Sequence, residues 1–249
     1  LAITLDIQQK RILQTSLQRQ GYAIQDGFLS VEQCQQYVET INLFKQEHTL
    51  PEIYRPMRGR ALHYSVIDGE MVAQHLPTIE QFYREMNEFL NEIYPQELFP
   101  LHDTKAGANI NITPPGGQYR WHYDRNEITA LVYLNEVSAG EIEFYARYRL
   151  YLQRQGSTLL QRRLDDLLRL SIIRTLFGKK MAVKPRPGRL VIIQGNRCLH
   201  SVRPIEGEQA RMNLVLSYDR TQDALLTKDK LSTYLYTQKD VTSSDPNYQ

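Results

Sequence analysis

Cysteine is scarce in this sequence of 249 residues, with only Cys34 and Cys198 present. Two thiols are too few for a disulfide framework and fit a reducing compartment, where both read as small buried hydrophobes. No run of about 18 apolar residues occurs, so no helix is expected to span a membrane. The opening LAITLDIQQKR lacks the basic-then-apolar order of a secretory signal, and the expected location is the cytoplasm. An excess of one charge is missing too. Thirty basic against 28 acidic side chains leave +2, which gives no reason to expect nucleic acid as a partner. No internal repeat is visible.

What is present is the composition of a folded chain, 41% hydrophobic and 23% charged, at a length that suits one large domain. Ile7, Ile12, Leu13 and Leu17 recur at helical spacing until Gly21, and Ser30 with Gln33 has the spacing of a capping box that starts a second helix, running to about Lys45. A loop is expected over 49–60, a strand over 61–67 and an amphipathic helix over 77–94. The first hundred residues are thus helix-rich support.

After Pro100 the pattern changes to period two. Ala108 to Thr113, Thr129 to Leu134, Arg189 to Gln194 and Arg211 to Tyr218 read as strands, with Gly116, Gly140, Gly188 and Gly207 between them where turns are needed. The expected fold class is mainly β with flanking helices. One domain spans 1–220, with its core at about 101–220. A helical insert interrupts the core at about 146–184, where Leu160, Leu164, Leu167, Leu168 and Ile172 fall at helical spacings within a helix over 157–177. Residues 221–249 read as a polar C-terminal tail.

The candidate chemistry lies in the β-rich half. His122 and Asp124 are two apart on an extended segment, so both project the same way and can reach one ion. His200 follows the strand ending at Gln194 and offers a second imidazole from a distant strand. Two histidines and one carboxylate on one face of a metal leave positions open for other ligands, the arrangement of non-haem iron(II) sites. Arg211 opens the next strand, where a guanidinium can pair bidentately with a desolvated carboxylate. Asn213 shares its face and can add a hydrogen bond, and Asn111 is a further candidate. His102 and Asp103 are adjacent, so they point to opposite faces and form no rival site. His48, His63 and His75 read as structural. Trp121, Tyr119 and Tyr133 read as packing, and Arg120, Arg125, Arg197 and Arg203 as surface charges or contacts for an anionic substrate group.

These residues fall within blocks that resemble the 2-oxoglutarate and iron(II)-dependent dioxygenase superfamily, especially its prolyl-hydroxylase-like branch. The blocks are Asn111-Ile-Thr-Pro-Pro-Gly-Gly, Trp121-His-Tyr-Asp, Thr129-Ala-Leu-Val-Tyr-Leu-Asn, Gly140-Glu-Ile-Glu-Phe, Pro185-Arg-Pro-Gly-Arg-Leu-Val-Ile-Ile, His200-Ser-Val-Arg-Pro and Arg211-Met-Asn-Leu-Val-Leu. Their order and spacing extend over roughly residues 20–220. The chain departs from the family pattern at Ala139-Gly140, where Gly-Gly is usual, and in the insert.

The resemblance implies a double-stranded β-helix, or jelly-roll, with the metal at its open end. It implies His122, Asp124 and His200 as catalytic iron ligands and Arg211 as the 2-oxoglutarate anchor. The implied cofactors are iron(II), 2-oxoglutarate and dioxygen, with ascorbate as a stimulant. The implied reaction decarboxylates 2-oxoglutarate to succinate and CO2 and takes hydrogen from a substrate C–H bond. Asp124 favours hydroxylation, because related halogenases replace that carboxylate by a small residue. A small amino-acid-like or specialised metabolite is the expected substrate. The rival readings are a non-catalytic jelly-roll sensor and a nucleic-acid or protein demethylase or hydroxylase. A monomer or a homodimer through the inserted helix is expected, and that helix reads first as a lid over the mouth or as a helix packed on the barrel, with a dimer contact and a membrane-surface helix as the other readings.

Overall fold

The computed structural model describes residues 5–56, 59–151, 159–221, 231–239 and 243. Local signals start the chain as the sequence indicates. Asp6 and Ser30 each accept a hydrogen bond from the N–H three residues on, and Gln9 and Gln33 accept one from the cap, opening α1 (Ile7–Gln20) and α2 (Val31–Glu47) with reciprocal capping boxes. Strand β1 (Tyr22–Gln25) lies between them. Next come β2 (Glu52–Arg55), β3 (Leu62–Ile67), α3 (Gly69–His75), α4 (Pro77–Ile93), β4 (Phe99–Pro100) and α5 (Thr104–Gly107). The β-rich half holds β5 (Ala108–Thr113), β6 (Tyr119–His122), β7 (Ile128–Tyr133), β8 (Ile142–Tyr145), β9 (Met181–Val183), β10 (Leu190–Gln194), β11 (Leu199–Val202) and β12 (Arg211–Asp219). Helices α6 (Leu159–Arg169) and α7 (Ser171–Phe177) interrupt it, and α8 (Leu231–Tyr236) follows it.

The strands form the expected jelly-roll. Among the described residues the major sheet runs β1-β10-β7-β12-β5-β3-β2, with β4 also on β12, and the minor sheet runs β6-β11-β8-β9. All the pairings are antiparallel. Successive residues of a strand point to opposite faces, so the major sheet has two distinct surfaces. Its outer surface carries Ile110, Ile112, Ala130, Val132, Leu190, Ile192, Leu214 and Leu216, which share one core with Leu13 and Leu17 of α1, Ile41 and Phe44 of α2 and Phe82 and Met86 of α4. Each fully buried aliphatic or aromatic side chain there contributes about 1.5–3 kcal/mol. The inner surface faces the minor sheet. It carries an apolar cluster with Leu131, Tyr133, Val191 and Ile193 and, beside that cluster, Asn109, Thr113, Thr129, Arg211, Asn213 and Ser217, all buried.

Three elements differ from the sequence expectation. β2 lies within 49–60, expected as a loop; it is an edge strand paired only with β3 and buries Ile53 alone, too little alternation to read. The insert holds two helices, because Leu170 between them is extended (ψ 133°); residues 152–158, including the expected start at Ser157, lie outside the described residues. Of the residues at helical spacing Leu160, Leu167 and Ile172 are exposed, while Leu168 packs on Tyr123, Tyr145, Tyr148 and Leu199. The third difference is α8, within the stretch expected to be a polar tail. It buries Tyr234 and Leu235 on Ile53, Leu62, Tyr64 and Val66. No helix among the described residues is long and apolar enough to cross a membrane.

Candidate metal centre

Strands β6 and β11 pair in a register that sets His122 opposite His200. Both imidazoles therefore leave neighbouring strands on the same side, with ring centroids 4.1 Å apart. Asp124 lies just beyond β6, where its N–H donates to the Gly195 carbonyl at 3.1 Å. Only glycine allows that approach, since a Cβ at Gly195 would stand 2.7 Å from the Asp124 Cβ. The Thr129 hydroxyl donates to Asp124 Oδ2 at 2.6 Å and itself accepts from Asn126 Nδ2 at 2.9 Å. This leaves Oδ1 turned to the histidines, 3.3 Å from His122 Nε2 and 3.4 Å from His200 Nε2.

The proton inventory of this cluster suits a cation. His122 Nδ1 faces the Arg120 carbonyl at 2.9 Å and His200 Nδ1 faces the Cys198 carbonyl at 3.0 Å. A carbonyl only accepts, so both Nδ1 atoms carry hydrogen and both Nε2 atoms turn inward, where a metal would take their lone pairs. Burial, reinforced by the neighbouring His122, pushes His200 down to about 4, against the opposing pull of Asp124. For Asp124 burial acts to raise the carboxyl, but His200, His122 and the Thr129 hydrogen bond outweigh it and hold the group ionised. One carboxylate oxygen and the two imidazole Nε2 atoms thus converge on one point. The three donor atoms, one from each residue, lie within 4.8 Å of each other, as ligands of a single ion must.

The same cavity is lined by Arg211, Asn213 and Asn111. Arg211 is 4% exposed, and among the described residues no carboxylate lies within ion-pair distance of it. Its Nη1 donates to the Gly140 carbonyl at 2.9 Å and its Nη2 to Thr113 Oγ1 at 3.4 Å, while Nε has no partner. Burial lowers its pKa. A charge so placed is costly unless an anionic ligand completes it. Gly140 holds its carbonyl there at φ 80°, with Ile205 Cδ1 2.2 Å from where a Cβ would be. The departure from the family's Gly-Gly therefore falls on the neighbouring Ala139 and spares the glycine that positions Arg211. Asn213 and Asn111 are Cα partners on β12 and β5.

Several cavity residues carried no signal in the sequence, among them Tyr64, Thr129, Leu235 and Tyr236. Thr129 was legible only as part of a strand. Tyr119, Tyr133 and Arg125 line the cavity, whereas Trp121 lies under the Arg174 guanidinium at 4.2 Å and Arg203 pairs with Glu141 at 3.5 Å. Asp103, set aside as a metal ligand, also lines the cavity. The lid reading of the insert is corrected. Leu164, Leu168 and Ile173 pack on the outer face of the minor sheet beside Trp121, Tyr145 and Leu199, and the cavity is lined by none of residues 159–184.

Residues 108–218 match the family model described as the 2OG-Fe(II) oxygenase superfamily, a segment that holds all the candidate metal and co-substrate residues. No functionally curated protein sequence matches the chain. Solved structures share the fold at low identity. The non-haem α-ketoglutarate-dependent epimerase SnoN from nogalamycin biosynthesis is 14% identical, covering 86% of this chain and 84% of its own, at a TM-score of 0.65. A prolyl hydroxylase from Trichoplax adhaerens, solved with a peptide fragment of the hypoxia inducible factor oxygen degradation domain, is 14% identical, covering 92% and 100%, at 0.61. AviO1 from Streptomyces viridochromogenes Tue57 is 17% identical, covering 87% and 96%, at 0.60.

Proposed function

We propose that this chain, whose residues 108–218 match the 2OG-Fe(II) oxygenase superfamily, is a 2-oxoglutarate-dependent non-haem iron enzyme that hydroxylates a C–H bond of a small amino-acid-like or specialised metabolite. His122, Asp124 and His200 would hold iron(II), and Arg211 would anchor 2-oxoglutarate, the co-substrate released as succinate and CO2. The observation that carries this reading is a buried guanidinium with no acidic partner among the described residues, facing the same cavity as three converging metal donors.

Bound together, iron(II) and 2-oxoglutarate supply the dioxygen activation that side chains cannot. The protein supplies position. The Arg120 and Cys198 carbonyls fix the imidazole tautomers, and Thr129 turns the Asp124 carboxylate so that one oxygen faces the ion. Arg211 offers Nε and the guanidinium edge to the distal carboxylate of the co-substrate, and Asn213 and Asn111 stand beside it as further hydrogen-bonding groups. Tyr133, below the guanidinium at 5.8 Å, keeps that end of the cavity dry.

Purified protein given iron(II), 2-oxoglutarate and ascorbate should form succinate, and a screen of small metabolites should find one that raises the rate and gains one oxygen atom. A chain that forms no succinate with iron bound would be a jelly-roll sensor instead.

A further inference from the structure

One wall of the cavity belongs to neither the metal centre nor Arg211. α8 covers the inner face of β2 and β3, beside Tyr119 of the minor-sheet strand β6. It is fixed largely through backbone carbonyls. The Tyr64 hydroxyl donates to Leu235 at 2.8 Å, and the Arg55 guanidinium donates to Thr237 at 3.0 Å and Lys239 at 2.6 Å. Held in this way, α8 presents Tyr236 to the cavity.

Across from it on β5 stands Asn109, which is 4% exposed. Its Nδ2 donates to the Tyr236 hydroxyl oxygen at 3.4 Å, and its Oδ1 has no partner. Buried polar atoms are almost always paired, so an open acceptor on a cavity wall marks a place that a ligand completes. Burial and the nearby Asp103 carboxylate raise the Tyr236 phenol above its ordinary range, which keeps its proton available to donate.

We propose that Tyr236 and Asn109 form the subsite that orients the substrate by a neutral hydroxyl group, with α8 as its wall; this rests on the oxygenase reading above. A hydroxyl is both donor and acceptor, so it accepts from Tyr236 and donates to Asn109 Oδ1. Turning the amide over swaps the two roles, and a hydroxyl still meets both. An ammonium group has no acceptor for the phenol proton. A carboxylate has no hydrogen for Asn109 Oδ1 and meets the charge of Asp103, which lines the same cavity.

Cyclohexanemethanol, cyclohexanemethylamine and cyclohexanecarboxylate share one skeleton and differ in this group alone. Anaerobic calorimetry first measures uptake of iron(II) and 2-oxoglutarate, then titrates the three probes into the loaded protein. The alcohol should bind tightest, and Tyr236→Phe and Asn109→Leu should each weaken it about tenfold. Asn109→Asp, which keeps an oxygen acceptor, should retain alcohol binding, and this guards against a folding defect in the leucine variant. The subsite is refuted if the alcohol does not bind, binds no tighter than the other two, or is unaffected by either Tyr236→Phe or Asn109→Leu. Failure to take up iron or 2-oxoglutarate would instead refute the oxygenase reading, and the alcohol titration on the unloaded chain would then decide the subsite by itself.

Discussion

The two faces of the major sheet are made by the same strands and do opposite work. On β12, Met212, Leu214, Leu216 and Tyr218 point outward into the helix-covered core, while Arg211, Asn213, Val215 and Ser217 point inward to the cavity. The outer face is apolar apart from the Tyr218 hydroxyl, which donates to the Tyr83 carbonyl at 2.8 Å, and it stabilises the fold. Among the described residues the inner face buries a guanidinium without a counter-ion and leaves the Asn109 and Asn213 amide oxygens unpaired. A fold tolerates such groups when the opposite face contributes enough, and they are left available for ligands.

The largest effect expected from breaking this contrast is on the metal centre. Asp124→Ala and His200→Ala should each lower succinate formation by orders of magnitude, because each removes one of the three metal donors. Wild-type turnover in either variant would place the metal elsewhere.

Next comes a pair of substitutions on β12 that should have opposite signs in a urea unfolding titration. Leu214→Ala should lose about 2–5 kcal/mol of stability to a cavity and keep its affinity for 2-oxoglutarate. Arg211→Leu should gain stability by removing an unpaired buried charge, yet bind 2-oxoglutarate more weakly by about 2–5 kcal/mol. Two losses of stability would show that Arg211 already has a partner.

Acid should weaken the inner face in two windows. His200 is lowered from 6.5 to about 4, so the unfolded chain binds its proton first and stability falls as pH drops between those values, by on the order of 3 kcal/mol. Asp124 is lowered as well, so its contribution is present above the unfolded value of 3.8 and lost below it as the folded carboxyl protonates. Metal-free His200→Phe should show a flatter stability profile between pH 6.5 and 4, followed by circular dichroism; an unchanged slope would assign the acid loss to other groups.

The smallest effect belongs to Asn213→Ala. Its Oδ1 has no partner and its Nδ2 makes one 3.3 Å bond to the Leu214 carbonyl, so stability should change by less than about 1 kcal/mol while 2-oxoglutarate affinity falls several-fold. Equal affinity would remove Asn213 from the co-substrate contacts.

Much of this was legible in residue order. The capping box at Ser30 acts within three residues of backbone, and the alternation of Ala108 to Thr113 requires only a strand. The string from His122 to Asp124, with His200 and Arg211 after it, also survived folding as one cluster. Other features were hidden. β2 buries a single residue, the break at Leu170 has no proline or glycine to mark it, and α8 is a six-residue helix among polar residues.

By itself the sequence determined which residues share a face, because strand and helix periods follow from covalent geometry. It also determined the chemical types available for a metal and an anion. Only the tertiary structure decided what each face meets. The polar face of Asn109, Asn111 and Thr113 has the pattern of a solvated sheet edge, yet it is closed off by the minor sheet and by α8 from the far end of the chain. The register of β6 on β11 likewise brings His122 and His200 within reach of one ion. Such long-range pairings are set by the summed packing of both sheets, which no local window of residues contains.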